Sequence, residues 1–151
     1  MAPQHAIDES EIRLRIEKLV EAIRAMDLEG VMSSFTPDVV SFDIEPPLQH
    51  VGAAAKRKNW ANAFSAYDRP LGYEIRDLTI VVRDDVAVGH SFNRISGTLK
   101  NGKRNDVWVR WTGCLRKIDG QWLIAHDHVS VPLDFASGRA LLNLEPEVLP
   151  R

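Results

Sequence analysis

The chain of 151 residues has one cysteine and no long apolar run, and both absences narrow its class. A single cysteine, Cys114, excludes an intramolecular disulfide and is typical of a reducing, cytoplasmic setting. No segment approaches the length of a transmembrane helix. The first five residues also lack the basic start and apolar run of a secretory signal. We therefore expect a cytoplasmic protein without a membrane partner.

The sequence also has no large excess of charge of one sign. Its formal net charge is -2, so no global field favours nucleic acid or an anionic membrane. The one dense basic run is Lys56-Arg57-Lys58, within a helical pattern that includes Trp60 and Phe64. A nucleic-acid footprint is a patch or a stripe of basic residues. We predict that this tripeptide is the solvated side of a helix and that nucleic acid is not a partner.

Motifs for cofactors and metals are missing as well. The chain has no Gly-x-Gly-x-x-Gly, phosphate loop or Gly-x-Ser-x-Gly, so we expect no organic cofactor and no serine-hydrolase site. His126 and His128, with His90 and Asp43, are side chains that could bind zinc or iron. However, neither Cys-x-x-Cys nor His-Glu-x-x-His accompanies them, and we expect no metal.

The length predicts one domain with one core. We expect a disordered tail over residues 1–7, the domain over 8–132, and an extension over 133–151 that docks on the body or on a partner chain. Asp8 and Glu11 resemble a capping box. A helical stripe of core residues follows, formed by Ile12, Ile16, Leu19, Ile23 and Met26.

The rest of the chain changes from helix to strand. A short helix from residue 27 or 28 to Phe35, ended by Thr36-Pro37, precedes a strand over 39–43 and a helix over about 52–66. Four strands follow, joined by short turns, over residues 73–82, 86–98, 106–118 and 121–131. This order predicts an α+β domain with helices packed on one face of a long antiparallel sheet. Strands of this length coil strongly, so the sheet can curl like a half-cone.

The last strand is the most informative segment. Side chains alternate between the two faces of a strand, so one face is predicted to begin apolar and end polar, with Trp122, Ile124, His126, His128 and Ser130. Such a face indicates a core that opens into a small-molecule cavity. A β-bulge in this strand would exchange the faces and bring in Asp127 instead.

Four segments give the chain a resemblance to a known family: Met26–Val31, Phe35–Val39, Val51–Ala55 leading to Trp60, and Asp119–Trp122 with the His-x-His strand after it. In this order and spacing, the chain resembles the SnoaL-like and ketosteroid-isomerase-like proteins of the nuclear-transport-factor-2-like superfamily. The resemblance spans nearly all of residues 8–131. It implies a cone with a deep cavity, and a homodimer joined through the outer sheet face. The superfamily includes isomerases, dehydratases, hydrolases and assembly domains, so the fold does not fix an activity.

The strand over residues 86–98 fits this picture. Alternation places small residues on one face, where another sheet could approach closely, and Val88, His90, Phe92 and Arg94 on the other. We take His90, Phe92 and Arg94 as substrate-binding candidates, with Trp60, Phe64 and Trp111. Arg94 could pair with Asp43, hold a substrate carboxylate, or lie past the sheet edge in solvent.

Asp43 matches the position of the catalytic aspartate of the isomerase. The resemblance implies a general base that moves a proton at carbon next to a carbonyl. From the residues alone, Asp43 could equally cap the turn before Pro46-Pro47. The isomerase's two oxyanion donors fall near Leu19 and Gly113, which carry no hydroxyl or carboxyl. Losing one such donor costs about 3 kcal/mol of transition-state stabilisation, which argues against genuine ketosteroid isomerisation.

His126 and His128 could replace the missing donors, because a neutral imidazole can donate or accept. With Asp43 they would form a catalytic acid–base set. We predict a protein that catalyses proton transfer or hydration on a small apolar carbonyl or ring compound. The alternative is a non-catalytic ligand-binding or dimerisation module with the same cavity, and the sequence leaves open whether the protein is an enzyme.

Overall fold

The computed structural model describes residues 3–148. Three helices and eight strands follow one another: α1 Gln4–Arg24, α2 Leu28–Met32, β1 Phe35–Phe42, β2 His50–Val51, α3 Ala53–Ser65, β3 Gly72–Arg83, β4 Val86–Thr98, β5 Arg104–Ile118, β6 Gln121–Ser130, β7 Leu133–Asp134 and β8 Arg139–Ala140.

Six strands form one sheet in the order β2-β1-β6-β5-β4-β3. Only β1 and β6 run parallel; the other neighbours are antiparallel. Asp119 and Gly120 join β5 to β6 and have φ values of 50° and 79°, as a type I′ hairpin turn requires. Helix α1 packs on β3 and β6, and α3 on β1. The predicted α+β fold, with helices on one face of a curved sheet, is confirmed.

The core lies between the helices and the sheet. Four residues of the predicted helical stripe, Ile12, Ile16, Leu19 and Ile23, are buried on α1, with Ile12 and Ile23 at no more than 1% exposure. The fifth, Met26, lies in the turn after the helix and is partly buried. Trp122, Ile124 and Leu115 cover it from the sheet, each at 2% exposure or less. Burial of apolar surface contributes about 25 cal/mol of stabilisation per Å², so this packing holds α1 over the concave face. A cavity lies beside the helix.

The beginning of α1 differs from the prediction. The helix starts at Gln4, so residues 4–7 are helical and not a tail, while residues 1 and 2 lie outside the described range. Pro3 is the N-cap residue, and Asp8 is inside the helix, buried at 3% exposure. The Asp8 carboxylate accepts hydrogen bonds from Lys117 Nζ at 3.1 Å and Trp122 Nε1 at 3.4 Å. It therefore ties α1 to the sheet and is not a cap.

Asp8 makes the stability of the fold depend on pH. Burial disfavours its charged form, but hydrogen bonds from Lys117, Gln4 and Trp122 outweigh burial and hold the pKa of this carboxyl below its usual 3.8. The stabilisation is therefore present above the unfolded-state pKa and is lost as pH falls through the lower folded-state pKa. We expect Asp8→Asn to lower the Tm at neutral pH. The variant's Tm should also fall less than that of the wild type between about pH 4 and pH 2, measured by circular dichroism. Parallel Tm curves for the two proteins would contradict this role.

The second difference concerns the segment after α2. The predicted helix to Phe35 ends at Met32, and β1 already begins at Phe35, so Thr36-Pro37 lies inside a strand. Proline cannot donate a ladder hydrogen bond and is tolerated where pairing is interrupted. The register between β1 and β6 shifts between Phe35 and Val40, which is where Pro37 lies.

The extension after β6 forms a short β7–β8 hairpin, with Asp134 accepting hydrogen bonds from Ala136 and Ser137. Its apolar side chains Leu133, Phe135 and Leu142 are between 48% and 92% exposed. The described part therefore does not bury these side chains on the body of the protein, and docking on a partner chain stays a prediction. In residues 3–148, no helix combines the length and the apolar character needed to cross a membrane.

Candidate active site

A bulge in β6 decides which side chains face the helices. Cys114 pairs with His126 and Leu115 with Ile124, so Ala125 is an extra residue in β6. Ile124 before the bulge is fully buried in the core, and Asp127 after it is buried at 3% exposure. The extra residue exchanges the faces of the strand, which is the alternative that the alternation pattern had left open.

The two histidines consequently lie on the outer face of the sheet. The His126 Nδ1–H donates to the Val40 carbonyl at 2.6 Å, and His128 is exposed. Both rings contact the exposed Phe42 edge to face, with centroids 4.8 and 5.6 Å away. The prediction that these imidazoles face Asp43 across a cavity is wrong, because it assumed unbroken alternation along β6.

Asp127 occupies the place predicted for the histidines. It is opposite Ser41 in the parallel β1–β6 pair, and the Ser41 hydroxyl donates a hydrogen bond to its carboxylate. Both side chains are buried, at 3% and 0% exposure. A buried carboxylate requires a compensating charge or hydrogen bonds, and Asp127 has both.

The compensating charge is Lys56 of α3, whose side chain is 1% exposed. Its Nζ donates to Ser41 Oγ at 2.9 Å and is 3.4 Å from carboxylate oxygens of both Asp43 and Asp127. The ammonium therefore bridges the end of β1 to β6. Two carboxylates face one ammonium, so with all three ionised the cluster has one negative charge in excess.

The burial of Lys56 contradicts the prediction that the basic run Lys56-Arg57-Lys58 is the solvated side of a helix. Arg57 and Lys58 are exposed, but Lys56 points inward, where its Nζ is 5.3 Å from the centroid of Phe35 and 5.7 Å from that of Trp60. The signal that could have found it is spacing. Lys56 is four residues before Trp60 and so lies on the same helix face.

Asp43 directly follows β1, and its side chain is 19% exposed. One carboxylate oxygen faces Lys56, while the other accepts a hydrogen bond from the Ile44 amide at 2.7 Å. Of the two carboxylates on Lys56, Asp43 is the less buried. A ligand in the adjoining cavity therefore approaches Asp43 more easily than Asp127.

The cavity lies between α1, α3 and the concave sheet face and has a volume of about 40 Å³. This space holds about three water molecules. Asp43, Lys56 and Asp127 lie together in its wall. Its other lining residues are Ile16, Leu19, Val20, Ile23, Phe35, Trp60, Tyr73, Ile75, Asn93, Trp111 and Val129. Charged groups in such an apolar enclosure interact more strongly than in water.

The predicted substrate-binding residues divide into two groups. Trp60 and Trp111 line the cavity, and Phe64 packs on Trp60 with ring centroids 5.5 Å apart. His90 and Phe92 are on the outer sheet face, and the small residues of β4 point inward. The prediction had these two faces exchanged and is wrong. The Trp111 ring packs over this inward face, and a Cβ on Gly89 would lie 3.5 Å from it, at ordinary van der Waals contact.

Arg94 is also on the outer face, away from Asp43. Its guanidinium forms a two-pronged salt bridge with Asp106, with N···O distances of 2.7 and 2.6 Å. Hydrogen bonds from Arg94 hold the pKa of the Asp106 carboxyl below its usual value. Of the alternatives for Arg94, the structure supports a surface position with a partner on the neighbouring strand.

The positions of the isomerase's oxyanion donors are filled by apolar groups. Leu19 lines the cavity with an aliphatic side chain. Gly113 has no room for a side chain, because the Trp111 ring lies against it. In this chain, neither position has a side chain that can donate a hydrogen bond to a ligand.

A chain of polar side chains from β3 and β4 reaches the cavity wall through Tyr73 and Asn93. The Ser91 hydroxyl donates to Asn93 Oδ1 at 2.6 Å, and Asn93 Nδ2 donates to the Tyr73 hydroxyl at 2.9 Å. Burial raises the pKa of Tyr73; the hydrogen bond from Asn93 opposes this, and the charges of Asp127 and Asp43 add to it. Tyr73 therefore keeps its proton at neutral pH. Sequence reasoning did not select these three residues.

Across residues 3–148, no group of three or more His, Cys, Asp and Glu side chains is placed to hold a metal ion. The combination of a helix-covered, curved sheet with charged groups in an apolar cavity defines a pocket protein of the cone-shaped α+β class. Residues 12–134 match the model of the SnoaL-like domain. The chain belongs to the SnoaL-like domain family.

Solved structures of similar proteins agree with this assignment. An NTF2-like (nuclear-transport-factor-2-like) protein of unknown function from Pseudomonas putida is 31% identical, with a TM-score of 0.85 over 93% of this chain and 98% of that one. A candidate dehydratase of the NTF2-like family from Streptomyces avermitilis is 18% identical, with a TM-score of 0.75 over 87% and 100%. A ketosteroid isomerase-like protein from Erwinia carotovora is 22% identical, with a TM-score of 0.69 over 80% and 93%. The latter two likenesses concern the fold alone. A search of curated proteins finds no match.

Proposed function

We propose that the protein is a general acid–base enzyme that acts on a small, largely apolar carbonyl or ring compound, by proton transfer or hydration. The observation that supports this most is the Asp43–Lys56–Asp127 cluster in an otherwise apolar cavity. Charged side chains are costly to bury, and such groups in a cavity are typical of functional sites. Genuine ketosteroid isomerisation is not part of the proposal, because Leu19 and Gly113 replace its donors.

Each charged group has a distinct part in this proposal. Asp43 is the general base, since it is the less buried carboxylate and lines the cavity. Lys56 orients Asp43 and offsets its charge. Asp127 and Ser41 hold Lys56 in place. The histidines have no part, because both are on the outer face.

The test is exchange of carbon-bound hydrogen in D2O. Purified protein is incubated with acetone, butanone or cyclohexanone, and loss of the α-proton signal is followed by ¹H NMR. We expect exchange above the buffer rate for the smaller ketones, since the cavity is small, and loss of that excess in Asp43→Asn. No exchange above buffer with any ketone, together with saturable binding, would instead favour the non-catalytic binding module.

We also propose that the protein forms a homodimer through the outer sheet face, as the family resemblance implies. This face exposes Phe42, Val86, Val88 and Phe92, which are between 36% and 53% accessible. We expect a dimer by sedimentation velocity at micromolar concentration, and a shift toward monomer in Phe92→Glu. A wild-type monomer at that concentration would contradict the proposal.

The compartment that we propose is the cytoplasm. The single cysteine, Cys114, is unpaired and partly buried. Unpaired thiols persist in reducing compartments, which supports this proposal.

A further inference from the structure

Within residues 3–148, two hydrogen-bond donors in the cavity wall have no acceptor from the protein. The Trp60 indole Nε1 is buried without a hydrogen-bond partner. The Tyr73 hydroxyl accepts a bond from Asn93, but no described residue accepts the hydrogen of Tyr73 itself. A buried donor without a partner is unfavourable, so an acceptor on a bound ligand would stabilise it. Both residues line the cavity that also contains Asp43.

The orientation of the Tyr73 hydroxyl follows from its neighbours. Ser91 donates to Asn93 Oδ1, so the amide of Asn93 presents its Nδ2 hydrogens to Tyr73. The Tyr73 oxygen is therefore already an acceptor, and its own hydrogen must point elsewhere. Ser91 and Asn93 are at most 6% exposed, so this arrangement is fixed by packing.

Charge restricts what these donors can bind. Lys56 has three acceptors of its own in Ser41, Asp43 and Asp127 and has no hydrogen left for a ligand. With all three charges present, the cluster has a negative charge in excess, so an anionic ligand is repelled. A cationic ligand would leave the two donors without an acceptor. A neutral oxygen acceptor satisfies both conditions, and a carbonyl oxygen has lone pairs for two donors.

We propose that the cavity binds a small neutral aldehyde or ketone, whose oxygen accepts hydrogen bonds from the Tyr73 hydroxyl and the Trp60 indole. This proposal narrows the substrate class of the proposed function. Binding of the ligand does not depend on that function; only the reaction described next rests on it. When Asp43 removes an α-proton, the electrons of the C–H bond form the enolate C=C bond. The carbonyl π electrons move to the oxygen, where the two donors stabilise the charge. Return of the proton to carbon closes the cycle without a co-reactant.

Binding is tested with three ligands of equal size and different charge: acetone, acetate and isopropylammonium. Titration of the wild-type protein is followed by ligand NMR, with the carbonyl carbon of acetone labelled with ¹³C. We expect acetone to bind most tightly, on the order of millimolar for so few atoms. Its carbonyl resonance should move downfield, as hydrogen bonding to the oxygen requires. Equal or tighter binding of acetate or isopropylammonium would overturn the substrate class.

The donors are tested with Tyr73→Phe and Trp60→Phe. Each should weaken acetone binding by about 3- to 10-fold, the value of one hydrogen bond, and reduce the downfield movement. Matched controls are Tyr67→Phe and Trp108→Phe, since neither residue lines the cavity; both should bind acetone as the wild type does. If Trp60→Phe fails to fold, Tyr73→Phe and the carbonyl resonance of acetone on the wild type still decide the matter. Unchanged binding and resonance in Tyr73→Phe would overturn the proposal.

The two proposals fail in different ways. If acetone binding depends on the two donors but exchange does not depend on Asp43, the proposed function is contradicted and the carbonyl site is supported. If exchange depends on Asp43 but Tyr73→Phe binds acetone as the wild type does, the carbonyl site is contradicted and the proposed function is supported.

Discussion

Asp43→Asn is expected to lower the rate of ketone α-proton exchange by about 10²- to 10⁴-fold, the usual contribution of a general base. The amide keeps the size of the side chain and cannot accept a proton at neutral pH. Lys56 keeps Asp127 and Ser41 as partners in this variant, so the unfolding free energy should change by no more than about 3 kcal/mol. Exchange is followed by ¹H NMR and stability by urea unfolding.

The matched control is Asp38→Asn. Asp38 belongs to β1, which Asp43 directly follows, but its side chain is 75% exposed and lies 3.9 Å from Arg116 at the surface. We expect its exchange rate to equal that of the wild type. An Asp43→Asn protein that exchanges as fast as Asp38→Asn would remove Asp43 from the mechanism.

Lys56→Met should have the largest effect on stability. Methionine has nearly the length of lysine without its charge, so Asp43 and Asp127 would face each other in an apolar cavity with no ammonium between them. Removing one partner of a buried ion pair typically costs about 3–5 kcal/mol. We expect a loss of this size in the free energy of unfolding at neutral pH, measured by urea titration.

Two further variants test the reason for that loss. Lys58→Met changes an exposed lysine of the same helix and should alter stability by no more than about 0.5 kcal/mol. Adding Asp127→Asn to Lys56→Met removes one of the two uncompensated carboxylates and should restore part of the lost stability, which a double-mutant cycle measures. Equal losses for Lys56→Met and Lys58→Met would show that the buried ammonium does not hold the cluster together.

Much of the fold could be read from local patterns. The apolar stripe of α1 and the Asp119-Gly120 turn are set by residues close in sequence, and both are in the structure as predicted. The start of α1 was not predicted correctly, because Asp8 has its hydrogen-bond partners on the sheet, at Lys117 and Trp122. A capping pattern cannot reveal partners that are more than 100 residues away.

Site residues could be predicted where their place in or next to a helix or strand, read from the sequence, already decides that they face the cavity. Asp43 directly follows β1 and lines the cavity, and Trp60 and Trp111 line it too. His126 and His128 could not be placed correctly, since one extra residue at Ala125 turns both to the outer face. No glycine or proline marks that bulge, and the pairing of β6 with β5 creates it.

The sequence by itself determined the fold class and the order of the helices and long strands, because hydrophobic spacing and turn residues act over a few neighbouring positions. The family was indicated by resemblance, and the short strands β2, β7 and β8 were not predicted. Tertiary structure alone decided which polar side chains enter the cavity. Lys56 looks like a surface residue in its basic run, but it is buried because carboxylates on β6 and at the end of β1 converge on its ammonium. The energy that holds this charge inside comes from contacts between distant segments, which no local pattern encodes.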